Sequence, residues 1–518
     1  LYGREMPSKG ERRGPDFARL IEFQANSIAG FLRDSRELLR SLNPNLAFYM
    51  NSGARGANWA TGRLNRIIGP EQDILGSEGG FLAGDLTRIP LWKPSLTARL
   101  LETQAPDKPR VVFSAGGQKP WTFSLLPAAE LKLLYASTIA NAANVWFGLT
   151  PMDLDQPEMK ALREMNDFLA RNTAHYTGTR SAARVAVVWS DTTANFYNGA
   201  GAQLMDVDTV RQKSEAGNLE AEFSGLSEAL LRDHIPFDVV DDVTLDKDSL
   251  QRYDLIFLPN VACMSDRVAA RLRDYVEKGG NLFSTFETSL YDETGIHRKT
   301  FALGELFDAG TAGEIVGPMR WDFIKPAGSH ALLQGLNRTL FPSTVYHLRA
   351  KPAAAAPLLF FTRPLAGRYD GVPEVSTDPA LIVKRYGAGT SAYFSGDLGS
   401  AIASFHIPEH LHLIENAART FSRPAVSVET LAGSVEVVVR SQGESRRLVH
   451  LVNFTGEMTR PIQNVVPLRD VAVSLPGSFR TVRTLVHPGS LPVSPANRGA
   501  TRVTLPLLNE YEVLVFEK

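Results

Sequence analysis

The sequence predicts an α/β fold in three parts: a partial (β/α)8 TIM barrel made of strands five to eight only, a flavodoxin-like α/β domain, and a small C-terminal antiparallel β domain. Three observations predict it. Short apolar runs alternate with helical patterns through the first 180 residues, the grammar of buried parallel strands. The same grammar resumes at Arg184, where the helix ending Tyr275-Val276-Glu277-Lys278-Gly279-Gly280 runs straight into Asn281-Leu282-Phe283, a β-α-β unit with a glycine stop. After Pro424 the apolar period falls to two. The boundaries that follow are 1–180, 181–423 and 424–518.

In the first part, Asp16 to Leu42 reads as one long amphipathic helix, with Phe17, Leu20, Ile21, Ile28, Phe31, Leu32, Leu38, Leu39 and Leu42 at helical spacing. Asp16 is expected to cap it, and Asn43-Pro44-Asn45 to end it. Leu46 to Met50 reads as a strand closed by Asn51-Ser52-Gly53, and Asp73 to Glu78 as a second strand and its loop. Ser95 to Gln104 is a helix, Arg110 to Ser114 a strand, Pro127 to Ala142 a helix, Asn144 to Gly148 a strand and Glu158 to Thr173 a closing helix. A complete barrel needs eight strands and about 250 residues. Four strands before residue 180 fit half of one, and equally a small open sheet.

The second part opens with the strand Arg184 to Trp189 and a helix containing Gly225 to Leu231. Strands at His234 to Val240, Leu255 to Asn260, after Gly280, Ala380 to Gly389 and Ala392 to Asp397 follow, with a last helix over His410 to Phe421. Between Gly310 and Asp378 the pattern reads as mixed strands and loops. In the third part Val426–Val428, Val435–Val439, Leu448–Val452, Val471–Val473, Val503–Leu505 and Tyr511–Val515 are short strands between turns.

At 518 residues the chain is too long for one core, and two to four domains are expected. A net charge of −1 gives no footprint for a nucleic acid or an anionic membrane, and no apolar run has membrane length. Cys263 is the single cysteine, so an internal disulfide and a cysteine metal cluster are both excluded. The opening Leu1-Tyr2-Gly3-Arg4-Glu5 has no signal-peptide pattern; the expectation is a fragment whose start is arbitrary, with the compartment left open.

The second part, in His234-Ile235-Pro236-Phe237-Asp238-Val239-Val240, Tyr253-Asp254-Leu255-Ile256-Phe257-Leu258-Pro259-Asn260, the Tyr275–Gly280 stop and Tyr386-Gly387-Ala388-Gly389, resembles the trimerisation domain of family 42 β-galactosidases. The tail, with His450-Leu451-Val452-Asn453-Phe454 and Tyr511-Glu512-Val513, is similar to the β domain of the same enzymes. The first part resembles a branch of these barrel hydrolases that includes α-L-fucosidases. The resemblance puts the half-barrel ahead of the open sheet, because such a domain normally trails a barrel. It implies hydrolysis of a terminal sugar of galacto configuration by two carboxylates, a retaining pair lying about 5–5.5 Å apart at barrel strand tips. It implies a glycoside substrate, a homo-oligomer such as a trimer, and no metal or organic cofactor.

Glu78 directly follows an apolar strand between Ser77 and Gly79-Gly80, where a substrate can approach and a carboxyl can work as a general acid; otherwise it is a loop-capping glutamate. Asn51 ends another strand and either binds a sugar hydroxyl or serves a turn. Ser114, Gln118, Lys119 and Trp121 follow the third strand; Trp121 either stacks on a pyranose or packs against a loop. Trp146 reads as barrel interior or pocket floor, and Arg55 and Trp59 as rim or loop residues. Family 42 enzymes carry a nucleophilic glutamate after strand seven, whereas here that strand ends Ser114-Ala115-Gly116-Gly117. The fucosidase-like pattern, with its nucleophilic aspartate after strand four, would place that residue before Leu1 and leave Glu78 as acid/base; the chain alone is then expected to be inactive. The rival of another class is a non-catalytic carbohydrate-binding or assembly protein. A weaker rival, an amidotransferase-like nucleophile at Cys263, lacks the glycine elbow such chemistry uses. Ser190-Asp191-Thr192-Thr193 lacks the glycine of a flavin phosphate loop, and Asp397 and Glu287 read as loop anchors.

Overall fold

Helix α1 (Pro15–Leu42) turns Phe17, Ile21, Ala25, Ala29 and Leu32 inward at the spacing of one helical face. The computed structural model describes residues 3, 13–59, 61–80, 91–117, 124–197, 216–367, 369–430, 432–456 and 460–518. Asp16 does not cap α1: Gly14 holds that position at φ 85°, Pro15 takes the first turn, and Asp16 pairs with Arg19 at 3.0 Å. Its charge still suits a helix N-terminus.

Strands β1 (Leu75–Gly80), β2 (Arg110–Ala115) and β3 (Asn144–Gly148) form a parallel sheet in sequence order. The expected strand at Leu46–Met50 runs beside β1 but is not a regular strand. Its backbone is satisfied by side chains instead: Asp73 accepts from the Phe48 amide at 2.8 Å and Gln72 from the Met50 amide at 2.7 Å. One parallel bridge, Ser52 to Ser77, ties its end to β1. Helices α2 (Lys93–Gln104), α3 (Ala128–Ala140) and α4 (Met159–Tyr176) follow the strands. Side chains alternate across a sheet, so Leu75, Ser77, Val112 and Ser114, all buried, share the helix-covered face. The opposite face carries Glu78, Phe113 and Trp146 in one register row and is uncovered among the described residues.

The second block is built on a nine-stranded sheet, with a separate two-stranded ribbon of β9 (Ala309–Val316) and β12 (His347–Pro352). Its parallel part, β5 (Val185–Trp189), β6 (Phe237–Asp241), β7 (Leu255–Leu258), β8 (Asn281–Thr285) and β15 (Gly389–Phe394), lies in the order β6-β5-β7-β8-β15, the flavodoxin-like 2-1-3-4-5 arrangement. It continues antiparallel through β14 (Val375–Tyr386), β13 (Leu359–Thr362), β10 (Phe323–Pro326) and β11 (Phe341–Pro342). Helices α5 (Leu219–Arg232), α7 (Leu398–Phe405) and α8 (Pro408–Phe421) bury one face and α6 (Asp266–Glu277) the other, so the central strands are apolar throughout. The glycine pair after α6 has a steric reason: Gly279 has φ 104°, and a Cβ on Gly280 would stand 2.2 Å from the Tyr275 ring.

The last part is two packed antiparallel sheets. One holds β16 (Ser427–Glu429), β19 (Leu468–Pro476), β22 (Ser494–Ala496) and β23 (Ala500–Leu508). The other holds β17 (Val435–Gln442), β18 (Arg446–Asn453), β20 (Thr481–Thr484), β21 (Gly489–Leu491) and β24 (Tyr511–Glu517), with β4 (Arg180–Ser181) added at its edge. This second sheet is buried on both faces. Val437, Val439, Leu451 and Leu514 face the sister sheet, and Val438, Leu448, Val452 and Val513 face α3 and α4.

Arg99 of α2 joins all three parts. It donates to Glu436 of β17 at 2.8 Å, to Ser95 at 3.2 Å and to the Phe237 carbonyl of β6. Asn141 adds a bond to the same Glu436 oxygen at 3.1 Å. Removing one partner of a buried pair leaves the other charge uncompensated, at a cost of about 3–5 kcal/mol. Arg99→Ala should therefore lower the urea midpoint sharply, while Arg19→Ala, on an exposed pair, leaves it in place; equal midpoints for the two variants would contradict the role given to Arg99.

Candidate active site

Glu78 stands near the C-terminal tip of β1 with its carboxyl exposed. Its Oε1 accepts from Asn51 Nδ2 at 2.8 Å. Asn51 Oδ1 in turn accepts from the Tyr49 hydroxyl at 3.1 Å. Tyr49 and Asn51 are two residues apart in extended chain, so both side chains leave on the same side as Glu78. Gly76 makes room for this: a Cβ there would stand 2.6 Å from the Tyr49 ring. Burial and the adjacent Glu78 charge push the Tyr49 phenol up to about 12.

Across the sheet from Glu78 the register row runs to Phe113 and Trp146. Their rings meet edge to face at 5.0 Å, and Tyr49 meets Trp146 likewise at 6.0 Å. Trp146 keeps 45% of its surface exposed, which leaves it free to take a further apolar contact. The result is one carboxyl with an amide donor on one oxygen, beside an aromatic shelf on an open sheet face. Such an arrangement suits a polyol with an apolar face, held next to a group able to give or take a proton.

The structure brings Glu78, Asn51 and Trp146 together. Ser114 does not join them: it is fully buried on the helix-covered face, and its hydroxyl has no partner among the described residues. Gln118, Lys119 and Trp121 lie outside the described residues. Arg55 and Trp59 are not rim residues. Arg55 pairs with Glu220 at 3.3 Å and lies over the Phe223 ring at 5.1 Å, and the Asn58 and Trp59 amides both donate to Asn195. The loop after Asn51 is thus docked into the second part. Tyr49 and Phe113 are missing from the sequence-based set, although period-two alternation from Asn51 and a parallel register from Glu78 point at both.

Two strand-end carboxylates of the second part are tied down. Glu287 is bonded by Tyr197 and Tyr291, and Asp397 accepts from the Tyr346 amide at 2.9 Å. Ser190 caps the six-residue helix Asp191–Phe196 by accepting from the Thr193 amide. Cys263 is a buried thiol whose ionisation burial opposes. Among the described residues no group of three or more His, Cys, Asp or Glu stands together to hold a metal. No described helix is long and apolar enough to cross a membrane.

Residues 183–407 match the family model described as beta-galactosidase trimerisation domain. Among solved structures, the chain is similar to α-L-fucosidase isoenzyme 2 from Paenibacillus thiaminolyticus, with 18% identity, a TM-score of 0.72, and coverage of 94% of this chain and 71% of that one. It is similar to the β-galactosidase from Bacillus circulans sp. alkalophilus at 14% identity and a TM-score of 0.71, covering 100% of this chain and 72% of that one. The cold-adapted β-galactosidase from Rahnella sp. R3 follows at 17% identity and 0.70, with 100% and 70% covered. At these identities the likeness establishes a shared fold, of the glycoside-hydrolase type, and nothing finer.

The Tyr49 phenol gives a direct measure of the site's electrostatics. A negative neighbour disfavours phenolate, so Glu78→Gln should lower the Tyr49 titration point from about 12, but not to the ordinary tyrosine value, because burial remains. Ultraviolet difference titration of the wild type, Glu78→Gln and Tyr49→Phe isolates this one phenol. A titration point that Glu78→Gln does not move would contradict the proximity described.

Proposed function

We propose that the chain is part of a retaining glycoside hydrolase that removes a terminal sugar of galacto configuration, in the manner of an α-L-fucosidase, with Glu78 as the acid/base. The observation that carries this reading is the Asn51–Glu78 pair at a strand tip, 2.8 Å apart, beside the exposed Trp146. In the first step the protonated Glu78 gives its proton to the glycosidic oxygen as the C–O bond breaks. In the second, its carboxylate takes a proton from water. L-fucose presents a methyl group where D-galactose presents a hydroxymethyl, and a shelf of Phe113 and Trp146 suits the methyl. The β-galactosidase alternative of family 42 type, with its acid/base after strand four, would leave Glu78 a substrate-binding role and requires a polar partner for the hydroxymethyl.

A retaining pair needs a second carboxylate about 5–5.5 Å away. The register row from Glu78 offers Phe113 and Trp146 instead. We assign the second carboxylate to the other half of a (β/α)8 barrel, whose strands would cover the open face and close it. The likeness over only 70–72% of the relatives' chains supports this. The match at residues 183–407 supports a homo-oligomer, in keeping with the description of that family as a trimerisation domain. The absent carboxylate in the row favours a second reading, a non-catalytic carbohydrate-binding protein.

The deciding measurement is turnover of nitrophenyl α-L-fucoside against nitrophenyl β-D-galactoside by the complete gene product, wild type and Glu78→Gln. Losing a general acid costs roughly 10²–10⁴-fold. The variant should lose that much on phenyl glycosides, whose leaving group needs the proton, and much less on dinitrophenyl glycosides. Sugar binding without turnover of either substrate selects the binding reading. Turnover insensitive to Glu78→Gln removes Glu78 from the mechanism.

A further inference from the structure

We propose that Tyr49 is a positioning residue: it fixes which way the Asn51 amide points, and so which oxygen of Glu78 carries the exchangeable proton. Its catalytic meaning rests on the glycosidase reading above; its structural content does not. An asparagine amide offers a donor on one side and an acceptor on the other, and a half-turn about its last bond exchanges them. Only the donor side can face a carboxylate. The Tyr49 hydroxyl donates to Asn51 Oδ1 at 3.1 Å, which turns the amide nitrogen toward Glu78 Oε1 at 2.8 Å. The direction of the whole relay is set by its first member. The phenol's titration near 12 keeps it a donor throughout the physiological range.

Two contacts hold Tyr49 itself. Its ring lies over Gly76, where a Cβ would intrude to 2.6 Å, and its edge meets Trp146 at 6.0 Å. The backbone around it is anchored as well, since the Phe48 and Met50 amides are bound by Asp73 and Gln72. A proton on Glu78 Oε1 would meet the Asn51 N–H, donor against donor. Oε2 has no protein partner among the described residues. The proton therefore resides on Oε2, which becomes the oxygen that gives it to a leaving group and recovers it from water. Without Tyr49 the ionised carboxylate still selects the amide nitrogen, but a protonated Glu78 can also donate to Asn51 Oδ1, so the amide can turn and both oxygens compete for the proton.

The test begins with the chain as it stands, labelled with ¹⁵N-asparagine. In the wild type the Asn51 side-chain amide signal should shift as Glu78 ionises, and Glu78→Gln should abolish that response. Tyr49→Phe, which keeps the ring and removes only the hydroxyl, should reduce the response severalfold. Gly76→Ala, which displaces the ring from the other side, should do the same. An undiminished response in Tyr49→Phe overturns the proposal, whatever the chain's activity. In the complete gene product Tyr49→Phe should lower kcat roughly tenfold on poor leaving groups, the order expected for one hydrogen bond between neutral groups, with KM little changed. Loss of the amide response with kcat unaltered also overturns the positioning role, provided Glu78→Gln is impaired. If Glu78→Gln is itself unimpaired, the glycosidase reading fails instead.

Discussion

The Arg99 guanidinium is the constraint on which the arrangement depends. It is 5% exposed and reaches a carboxylate of the last part, a carbonyl of the second and a hydroxyl of its own helix. A buried charge tolerates little displacement, because every ångström lost is lost in a low-dielectric surround. Helix α2 is therefore fixed in rotation and height. Since α2 packs directly on β1 and β2, the tip of β1 is fixed with it. Arg440 with Glu102 and Arg66 with Asp241 repeat the device at neighbouring seams. The position of Glu78 is thus inherited from contacts on the far side of its sheet.

The two faces of that sheet answer to different physics. On the helix side, small and apolar residues close the space, and Ser114 is taken inside it. On the open side, aromatic edges meet without filling the surface, and polar groups reach one another through a directed relay. Burial is concentrated on one face, and the exposed polar and aromatic groups on the other. A carboxyl placed on the helix side would be unable to reach a substrate; one on the open side without Asn51 would lack a fixed orientation.

Much of this was legible in the residues, and the failures have local causes. Helix α1 and the parallel strands β5 to β8 announce themselves by apolar period, since each buries a continuous face. Leu46 to Met50 has strand composition, yet Gln72 and Asp73 occupy its amides, and side chains far along the chain leave no mark on local pattern. Asp16 looks like a cap because caps and first-turn acids share a residue type. Arg55 and Trp59 read as rim or loop residues because they follow a strand tip; their docking partners, Glu220 and Asn195, are more than a hundred residues distant. That Glu78 and Asn51 both end strands can be read from the turn residues after them, and their hydrogen bond follows from that shared level. Tyr49 was passed over, although it lies just two residues before Asn51, because an aromatic in an apolar run reads as core.

One detail of chain path has a temporal consequence. Strand β4 joins the last sheet before β5, the first strand of the second part's own sheet, has begun, and Arg440 meets Thr179 across 261 residues of sequence. During synthesis, α3 and α4 emerge long before β17, β18 and β24, the strands that cover them. Their apolar sides must wait through the whole of the flavodoxin-like block, and contacts so distant in sequence form late. The flavodoxin-like block can condense while still tethered to the ribosome, but the first part reaches its native burial only when the final strand arrives.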